Sequence, residues 1–460
     1  MPDYLIVGNS AGGIGAIEAI REVDTQGTIA LVSDEPTVAY SRPGIAELVA
    51  GSKTVERIAY RGAEFYRDHA VDTYFGRTAT RIDLARREVS LDDGSTLKYG
   101  KLLLATGGSP IRPPMEGQTK AGVLNFTTQA DALALVERLD KVGRRVVVIG
   151  AGLIGAACSD ALARAGVKPV VVELRDRPLS LLLDSPGSEL AREAMAKAGV
   201  DLICNTSVKE VLGRADDADS VGGVVLADGR RIECDAVVVA VGVRPRVTLA
   251  ADAGLKVNRG IVVDDRMATS DPDVFACGDV AEAYDCVLGS NRVVPIWPGA
   301  YRGGRAAGLN MAGQAGKFDD SSVMNSLKYF GMSLVSAGEI NVEGPDGKVL
   351  DGYQVTQKLD PRKGAYRKIV VRDGKLAGFV FAGAIERSGV VNWLLRERID
   401  VSAFADKLVE ESFDMIDLPA DLRRTHYLSA TSGGAAARIT WGEPVAPGAP
   451  SMNGGTGNGH

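Results

Sequence analysis

Three glycines, Gly150, Gly152 and Gly155, have the spacing of a turn that binds the pyrophosphate of a dinucleotide. In such a turn the first glycine permits a sharp bend, the second lets backbone amides approach the phosphates, and the third lets a helix pack closely on the sheet. A carboxylate, Glu173, follows the next apolar run, where it can accept hydrogen bonds from an adenosine ribose. These residue types predict a site for an adenine dinucleotide.

The elements that position these residues are readable on either side of them. The apolar runs Val146–Ile149 and Val170–Val172 predict buried strands, and a small-residue helix runs from the glycines to Ala165. The partial positive charge of the helix N-terminus then faces the phosphates. The alternative is a glycine turn in an ordinary α/β core. We expect the contacts to come from Gly150, Gly152, Leu153, Ile154, Gly155 and Glu173.

The charge of Glu173 also predicts which dinucleotide is preferred. A carboxylate at this position repels a 2′-phosphate, so NADH is favoured over NADPH. Arg175 and Arg177 lie just beyond and are compatible with a phosphate, which leaves NADPH as the alternative.

The N-terminus repeats this unit in a weaker form. Tyr4–Val7 and Thr28–Val32 predict strands around a glycine-rich turn, and Glu35 follows the second strand. Ser10 replaces the middle glycine, but a serine still permits close phosphate approach and adds a hydroxyl donor. After each unit comes a hairpin with an Asp-Gly turn and then a buried strand, starting at Lys101 and Asp235. The repetition predicts two dinucleotide domains built on one plan.

Composition excludes several classes of protein. The chain has 460 residues and a formal net charge of −6, which argues against nucleic acid as a partner. No apolar run is long enough to span a membrane. Met1 is followed almost at once by a strand, which leaves no room for a signal peptide, so we expect a cytoplasmic protein. Five cysteines are scattered without a CxxC pair, which predicts no metal site, no iron–sulfur cluster in this chain and no disulfide: Cys158, Cys204, Cys234, Cys277 and Cys286.

Together these motifs resemble the two-dinucleotide-domain flavoprotein oxidoreductases, the pyridine nucleotide–disulfide oxidoreductase superfamily, from about Asp3 to Gly313. Ala105–Gly108 resembles the turn that closes the FAD domain. Thr269–Asp279 resembles the second FAD motif, whose aspartate binds the ribityl or pyrophosphate portion. Gly242–Pro245 resembles the turn that returns the chain from the NAD domain.

The resemblance implies an α/β fold with two Rossmann-like dinucleotide-binding domains and a C-terminal α+β interface domain. Residues 1–112 and 243–316 would form the FAD domain, 113–242 the NAD domain, 317–410 the interface domain and 411–460 an extended tail. The resemblance also adds Gly242 to the expected NAD contacts. The implied FAD contacts are Gly8, Ser10, Gly13, Glu35, Arg42, Thr106, Gly107, Gly278, Asp279 and Trp297.

Four positions qualify the resemblance. Pro43 stands where disulfide-reducing members have a reactive cysteine, and proline can neither attack a disulfide nor form a sulfenic acid. Ala157 replaces a glutamate that many relatives place near the nicotinamide, so no catalytic side chain is predicted. Arg42 is expected near the flavin, where a cation stabilises the reduced anion; the alternative is a surface arginine that donates to a loop carbonyl. Trp297 either borders the flavin or packs at a domain junction.

The Tyr40–Pro43 stretch resembles rubredoxin and ferredoxin reductases and nitrite reductase large subunits. The Trp297–Pro298 pair resembles the FAD subunits of phenylglyoxylate dehydrogenase and tungsten aldehyde oxidoreductase. This implies hydride exchange between NAD and FAD and single-electron exchange with an iron–sulfur, ferredoxin-like partner, in a multisubunit complex or homodimer that reduces NAD⁺. The alternatives are a stand-alone NADH oxidase, an NADH:rubredoxin or quinone reductase, and a non-catalytic assembly subunit. The polar tail from about Ser429, with the apolar Ile439–Gly442, is a candidate docking segment or a terminus without a role.

Overall fold

The computed structural model describes residues 1–285, 287–318, 324–344 and 346–424. Met1–Phe413 forms one compact unit, and Asp414–His460 is counted as a second. The described part of the second unit contains the short 3₁₀ helix Met415–Asp417, capped by the carboxylate of Asp414. The predicted tail from Ser429, with its apolar stretch Ile439–Gly442, lies outside the described residues, as does Cys286.

The N-terminal unit contains a parallel five-stranded sheet. Its central strand, Tyr4–Val7, is buried at every position, as a strand covered on both faces must be. In spatial order the strands of this first sheet are Val274–Ala276, Lys101–Leu104, Tyr4–Val7, Ile29–Ser33 and Val71–Phe75.

A second parallel five-stranded sheet contains the glycine turn that is most prominent in the sequence. Its central strand, Val146–Ile149, is also fully buried. In spatial order its strands are Asp201–Ile203, Val170–Val172, Val146–Ile149, Ala236–Val239 and Val123–Asn125. In both sheets the two strands that follow the central strand along the chain lie on one side of it. The other side holds later strands in the first sheet, and in the second sheet it holds the later strand Ala236–Val239 and the earlier edge strand Val123–Asn125.

The two units repeat in register and in their turns. Val7 pairs with Val32, and Ile149 pairs with Val172. The amide that follows each central strand donates to the carbonyl of the same partner residue at 2.8 Å in both units. The repetition predicted from the sequence is therefore present at the level of individual hydrogen bonds.

The C-terminal region is a five-stranded antiparallel sheet with one α-helix of more than two turns. In spatial order the strands of this C-terminal sheet are Met324–Tyr329, Met332–Gly338, Lys375–Ala382, Ala365–Arg372 and Tyr353–Asp360. The helix Ser388–Arg396 buries Val391, Leu394 and Leu395 on one face. This α+β arrangement agrees with the predicted class of the region.

Helices cover the parallel sheets, and small sheets connect them. The α-helices of the described residues are Ala11–Val23, Ile45–Val49, Val55–Ile58, Ala63–Asp68, Gln129–Lys141, Leu153–Arg164, Ser185–Lys197, Thr248–Asp252, Trp297–Met311 and Ser388–Arg396. The small sheets contain Ala79–Asp83, Glu88–Leu91 and Thr96–Lys98; Val208–Gly213, Val221–Leu226 and Arg231–Glu233; Gly108–Pro110 and Val243–Pro245; Ile261–Val262, Ala281–Asp285 and Ser290–Val293. Of the helices in the described part of the chain, none is long and apolar enough to cross a membrane.

The helices Ala11–Val23 and Trp297–Met311 approach each other unusually closely. A Cβ built at Gly304 would lie 2.0 Å from the carbonyl oxygen of Gly12, and one built at Gly308 would lie 2.6 Å from that of Ala16. Only glycine permits this approach, because any side chain would collide with backbone. The contact fixes the N-terminal end of the later helix beside the first glycine-rich turn.

Candidate functional site

One cleft connects the carboxyl ends of the two parallel sheets. Its volume is about 1860 Å³, and it is lined by the turns that follow both central strands, at Gly8 and Gly150. Pockets for single drug-sized ligands have volumes of about 300–1,000 Å³. This cleft therefore has room for more than one such ligand, and the carboxyl edge is where doubly wound sheets bind them.

The first turn lies at the predicted flavin half of the cleft. Gly8 has φ of +125°, and a Cβ there would lie 2.1 Å from the carbonyl oxygen of Ala105. Ser10 caps the helix Ala11–Val23 without a hydrogen bond from its side chain, and the first turn of that helix has no acidic residue. The helix N-terminus therefore presents its partial positive charge to the cleft, as anion binding requires.

Glu35 and Arg42, both predicted FAD contacts, bind each other at the edge of the cleft. The Arg42 guanidinium lies 2.5 Å from Glu35 Oε1, and the Tyr40 hydroxyl donates to Glu35 Oε2 at 2.5 Å. Arg42 also donates to the carbonyl of Thr127 at 3.0 Å. Arg42 therefore donates to a loop carbonyl, as the alternative to a flavin contact predicts, and it also lines the cleft. Its effect on a flavin stays a prediction.

The register of the first sheet also shows how the two acids differ. Val32 occupies the place that Val172 has in the second sheet, so Ser33 corresponds to Glu173. Glu35 therefore lies two residues further along the chain than the acid of the second unit. It reaches the cleft from the following loop instead of from the strand end.

Asp279 places a carboxylate at the junction of the first turn and the later helix. Burial raises the pKa of Asp279 above its ordinary value, and the charge of Arg42 opposes that rise. Gly278 precedes it with φ of +73°, and Thr106 and Gly107 line the same wall. Thr106 Oγ1 donates to the carbonyl of Arg246 at 3.3 Å. A desolvated carboxylate facing a cleft suits a ligand that brings hydroxyl donors.

Trp297 lies at the first position of its helix and lines the cleft. Its ring meets that of Tyr60 edge-on at 4.8 Å and stacks parallel to that of Tyr301 at 6.1 Å. The indole Nε1 is buried and lacks a hydrogen-bond acceptor among the described residues. A buried donor without a partner indicates that a bound group supplies the acceptor.

The second turn forms the predicted NAD half. Gly150, Gly152, Leu153, Ile154, Glu173 and Gly242 all line the cleft. Glu173 accepts hydrogen bonds from the backbone amides of Ala151 at 2.6 Å and Arg175 at 2.8 Å. Because a carboxylate offers about four lone pairs, it retains acceptor capacity for ribose hydroxyls. The first turn of the helix Leu153–Arg164 also lacks an acidic residue.

Gly13 and Gly155 are the two predicted contacts that do not line the cleft. A Cβ at Gly13 would lie 2.1 Å from the carbonyl oxygen of Gly8, and one at Gly155 would lie 1.9 Å from that of Gly150. Each glycine therefore lets its helix pack against the turn instead of meeting a ligand. The cause is geometric, because the third glycine of the motif points from the helix back to the strand.

Pro43 and Ala157, where the sequence departs from the residues of the family it resembles, both lie in the cleft wall. Pro43 is in the short 3₁₀ helix Arg42–Gly44, and Ala157 is in the second turn of the helix Leu153–Arg164. Neither side chain has a titratable or nucleophilic group. The four described cysteines are free thiols. No group of His, Cys, Asp and Glu that suits a metal ion occurs in residues 1–285, 287–318, 324–344 and 346–424.

Sequence reasoning missed two parts of the wall. The C-terminal sheet contributes Met324–Leu327 and Ser336–Gly338, and the loop after Glu173 contributes Leu179–Leu182. Arg246, bound to Asp34 at 2.6 Å, was also missed. None of these positions belongs to a local motif, so no signal in the sequence marks them.

Comparison with known proteins places these features in context. The sequence profile described as Pyridine nucleotide-disulphide oxidoreductase matches residues 2–304, and that of the Rubredoxin NAD+ reductase C-terminal domain matches residues 324–399. The NADH-dependent phenylglyoxylate dehydrogenase subunit epsilon of Aromatoleum evansii is 31% identical over 88% of this chain and 94% of its own length. The assimilatory nitrate reductase electron transfer subunit of Bacillus subtilis (strain 168) is 29% identical over 88% of this chain, which spans 51% of that protein. A crystal structure of a ferredoxin reductase from Rhodopseudomonas palustris has a TM-score of 0.77 and 26% identity, covering 89% of this chain and 98% of that one.

Proposed function

Since the chain belongs to the pyridine nucleotide-disulphide oxidoreductase family, we propose that it is an FAD-dependent NAD(H):acceptor oxidoreductase that exchanges electrons with an external iron–sulfur protein or subunit. The observation that carries the proposal is that two phosphate-binding turns, at Gly8 and Gly150, open into one cleft. The one cleft therefore has room to hold both dinucleotides. When bound, FAD supplies a centre that accepts a hydride and passes on single electrons.

The residues of the chain then bind, orient and desolvate the reactants. The helix N-termini beside Ser10 and Gly152 would hold the pyrophosphates, and Glu173 would accept hydrogen bonds from the ribose hydroxyls of NADH. Asp279 and the buried indole N–H of Trp297 would offer an acceptor and a donor to FAD. Ala157 and Pro43, which line the cleft, offer no side-chain group that could donate or accept a proton.

We assign the chain segments accordingly. Residues 1–112 and 243–316 form the FAD domain, 113–242 the NAD domain and 317–410 the interface domain. The strand Val274–Ala276, which pairs with Lys101–Leu104 in the first sheet, supports the discontinuous FAD domain. Residues 411–460 are proposed as the tail. We place the activity in the cytoplasm, where free thiols like the four described ones persist.

The described residues contain no thiol relay beside the flavin half, which supports an external partner. Pro43 cannot accept electrons, and burial raises the pKa of Cys277, the cysteine that lines the cleft, to about 12. Electrons must therefore leave for another molecule. The name of one relative, a ferredoxin reductase, supports an iron–sulfur partner, and that of another, a subunit of phenylglyoxylate dehydrogenase, supports a multisubunit complex. We propose that the chain reduces NAD⁺ in a 2-oxoacid or aldehyde oxidoreductase complex.

Anaerobic reduction by NADH tests the core of the proposal. The purified chain, reconstituted with FAD, should be yellow and should bleach when NADH is added without oxygen. Stopped-flow absorbance measures the rate, and the variant Gly152→Asp, which puts a negative charge at the second turn, is the control that should retain FAD but bleach slowly. Bound flavin that NADH cannot reduce in the wild type would instead identify a non-catalytic assembly subunit.

The partner is tested separately. Affinity purification from the native source, followed by mass spectrometry, should recover iron–sulfur subunits in fixed stoichiometry with this chain. A chain that purifies alone and consumes NADH with oxygen at its full physiological rate would be a stand-alone oxidase, and the partner proposal would be wrong while flavin reduction by NADH still holds.

A further inference from the structure

A charged cluster is buried between the NAD half of the cleft and the C-terminal sheet. Lys368 is 0% exposed; its Nζ lies 2.6 Å from Glu343 Oε1 and 3.0 Å from Asp184 Oδ2. The hydroxyl of Tyr366 donates to the same Asp184 oxygen at 2.5 Å and lies 2.9 Å from Gln357 Oε1. Two strand residues of the C-terminal sheet therefore bind one carboxylate that belongs to the nucleotide-binding unit.

Asp184 is the point where a cleft wall ends and a helix begins. Its Oδ1 accepts the amide of Gly187 at 3.3 Å and so caps the helix Ser185–Lys197. Residues 174–184, called here the wall segment, connect Glu173 to this cap. Leu174 and Leu181 of the wall segment line the cleft and are 72% and 74% exposed. Such apolar surface beside a ribose-binding carboxylate suits an adenine ring.

The wall segment is held at two further points. Asn341, from the C-terminal region, donates through Nδ2 to the carbonyl of Ser180 at 3.0 Å and accepts from Arg177 at 3.3 Å. The amide of Leu179 donates to the carbonyl of Ala151, in the glycine turn, at 2.9 Å. The position of the wall segment is thus set jointly by the glycine turn and by the C-terminal region.

A buried ion pair is a poor way to gain stability alone, because desolvation offsets most of its Coulomb energy. Apolar residues of similar volume pack as well, but they do not fix one atom against another. Lys368 and Tyr366 fix the Asp184 carboxylate at defined distances, and this geometric role is the one that buried polar groups serve best.

We propose that Lys368 is a positioning residue for the dinucleotide. Through Asp184 it fixes the wall segment, against which the adenosine half of NADH binds. The proposal rests on the proposed NADH-dependent function. It assigns to the C-terminal sheet a part of nucleotide recognition that the chain's glycine motifs do not contain.

The test separates the adenosine half of the ligand from the nicotinamide half. In Lys368→Met, the Michaelis constant for NADH and the inhibition constant for ADP-ribose should both rise about tenfold, which corresponds to a loss of about 1.4 kcal/mol in binding. The kcat at saturating NADH, the FAD content and the turnover of reduced nicotinamide mononucleotide, which lacks the adenosine, should stay at wild-type values. Tyr366→Phe removes one of the bonds to Asp184 and should give a smaller rise in the same two constants.

Lys358→Met is the matched control, because Lys358 lies on the neighbouring strand with an exposed side chain that pairs with Glu410. It should leave both constants unchanged. If Lys368→Met does not fold, Asp184→Asn, which keeps an N-cap oxygen but not the charge, gives the same measurement. A lower melting temperature with unchanged constants for NADH and ADP-ribose overturns the proposal. A wild type that NADH does not reduce overturns the proposed function instead.

Discussion

Replacing Glu173 by alanine should change both the stability of the glycine turn and the choice of dinucleotide. The carboxylate accepts hydrogen bonds from the amides of Ala151 at 2.6 Å and Arg175 at 2.8 Å. Ala151 is 1% exposed, so in the intact protein the carboxylate, and not water, pairs with its amide. Leaving that donor unpaired costs about 1–3 kcal/mol, whereas water replaces the bond of the exposed Arg175 amide.

Removal of the carboxylate should also weaken the binding of NADH. A hydrogen bond from a ribose hydroxyl to a charged acceptor contributes about 1.5–3 kcal/mol, which is about tenfold to a hundredfold in affinity. The Michaelis constant for NADH should rise by that factor in Glu173→Ala. The constant for NADPH should fall or stay unchanged, because the negative charge that repels its 2′-phosphate is gone.

Steady-state kinetics with both dinucleotides and thermal unfolding measure the two effects. Glu173→Gln separates them, because its amide oxygen still accepts from Ala151 while the charge is absent. Glu193→Ala is the control, since the Glu193 side chain is 56% exposed and pairs with Lys197 one turn away on the helix Ser185–Lys197. If Glu173→Ala loses stability but keeps the wild-type preference for NADH, the residue serves the turn alone and the ribose assignment is wrong.

Three further changes test the structure at other points. Gly304→Ala should destabilise the protein by about 1–3 kcal/mol and lower its FAD content, because its Cβ would lie 2.0 Å from the opposing helix backbone. Gly389→Ala, whose Cβ meets open space, should leave the stability unchanged. If both variants had the same melting temperature, the close approach of the helices would be contradicted. Hydrogen bonds from Arg145 hold the pKa of Asp235 below its usual value of 3.8. Their contribution to the stability of the folded protein is therefore complete above that pH and is lost as the pH falls below it. The unfolding free-energy difference between wild type and Asp235→Asn should therefore shrink below about pH 4, and a difference that is independent of pH would refute this. Burial raises the pKa of Cys277 to about 12, so iodoacetamide at pH 8 should modify it only after unfolding, as mass spectrometry would show.

The sequence by itself determined the two nucleotide-binding units. Val146–Ile149 and Tyr4–Val7 are strands with the predicted bounds, because a β-branched run followed by glycines specifies its structure over a few residues. The Asp-Gly hairpins formed for the same reason, since Gly94 and Gly229 take the positive φ that their turns need. The residues that surround the glycine turns were therefore predictable from local spacing, as was the family.

Only the tertiary structure decided how the rest of the cleft is built. Lys368 follows an arginine in a strand and would be expected to face water, yet it is fully buried on Asp184, which lies far away in the chain. Glu173 turns back to bind the amide of Ala151, and Gly155 lies beneath its turn instead of in the cleft. The contact of Lys368 with Asp184 depends on how separate sheets pack, whereas those of Glu173 and Gly155 form within one strand–turn–helix unit. A local pattern specifies an element and its buried face, but it carries no information about which distant side chain that face will meet.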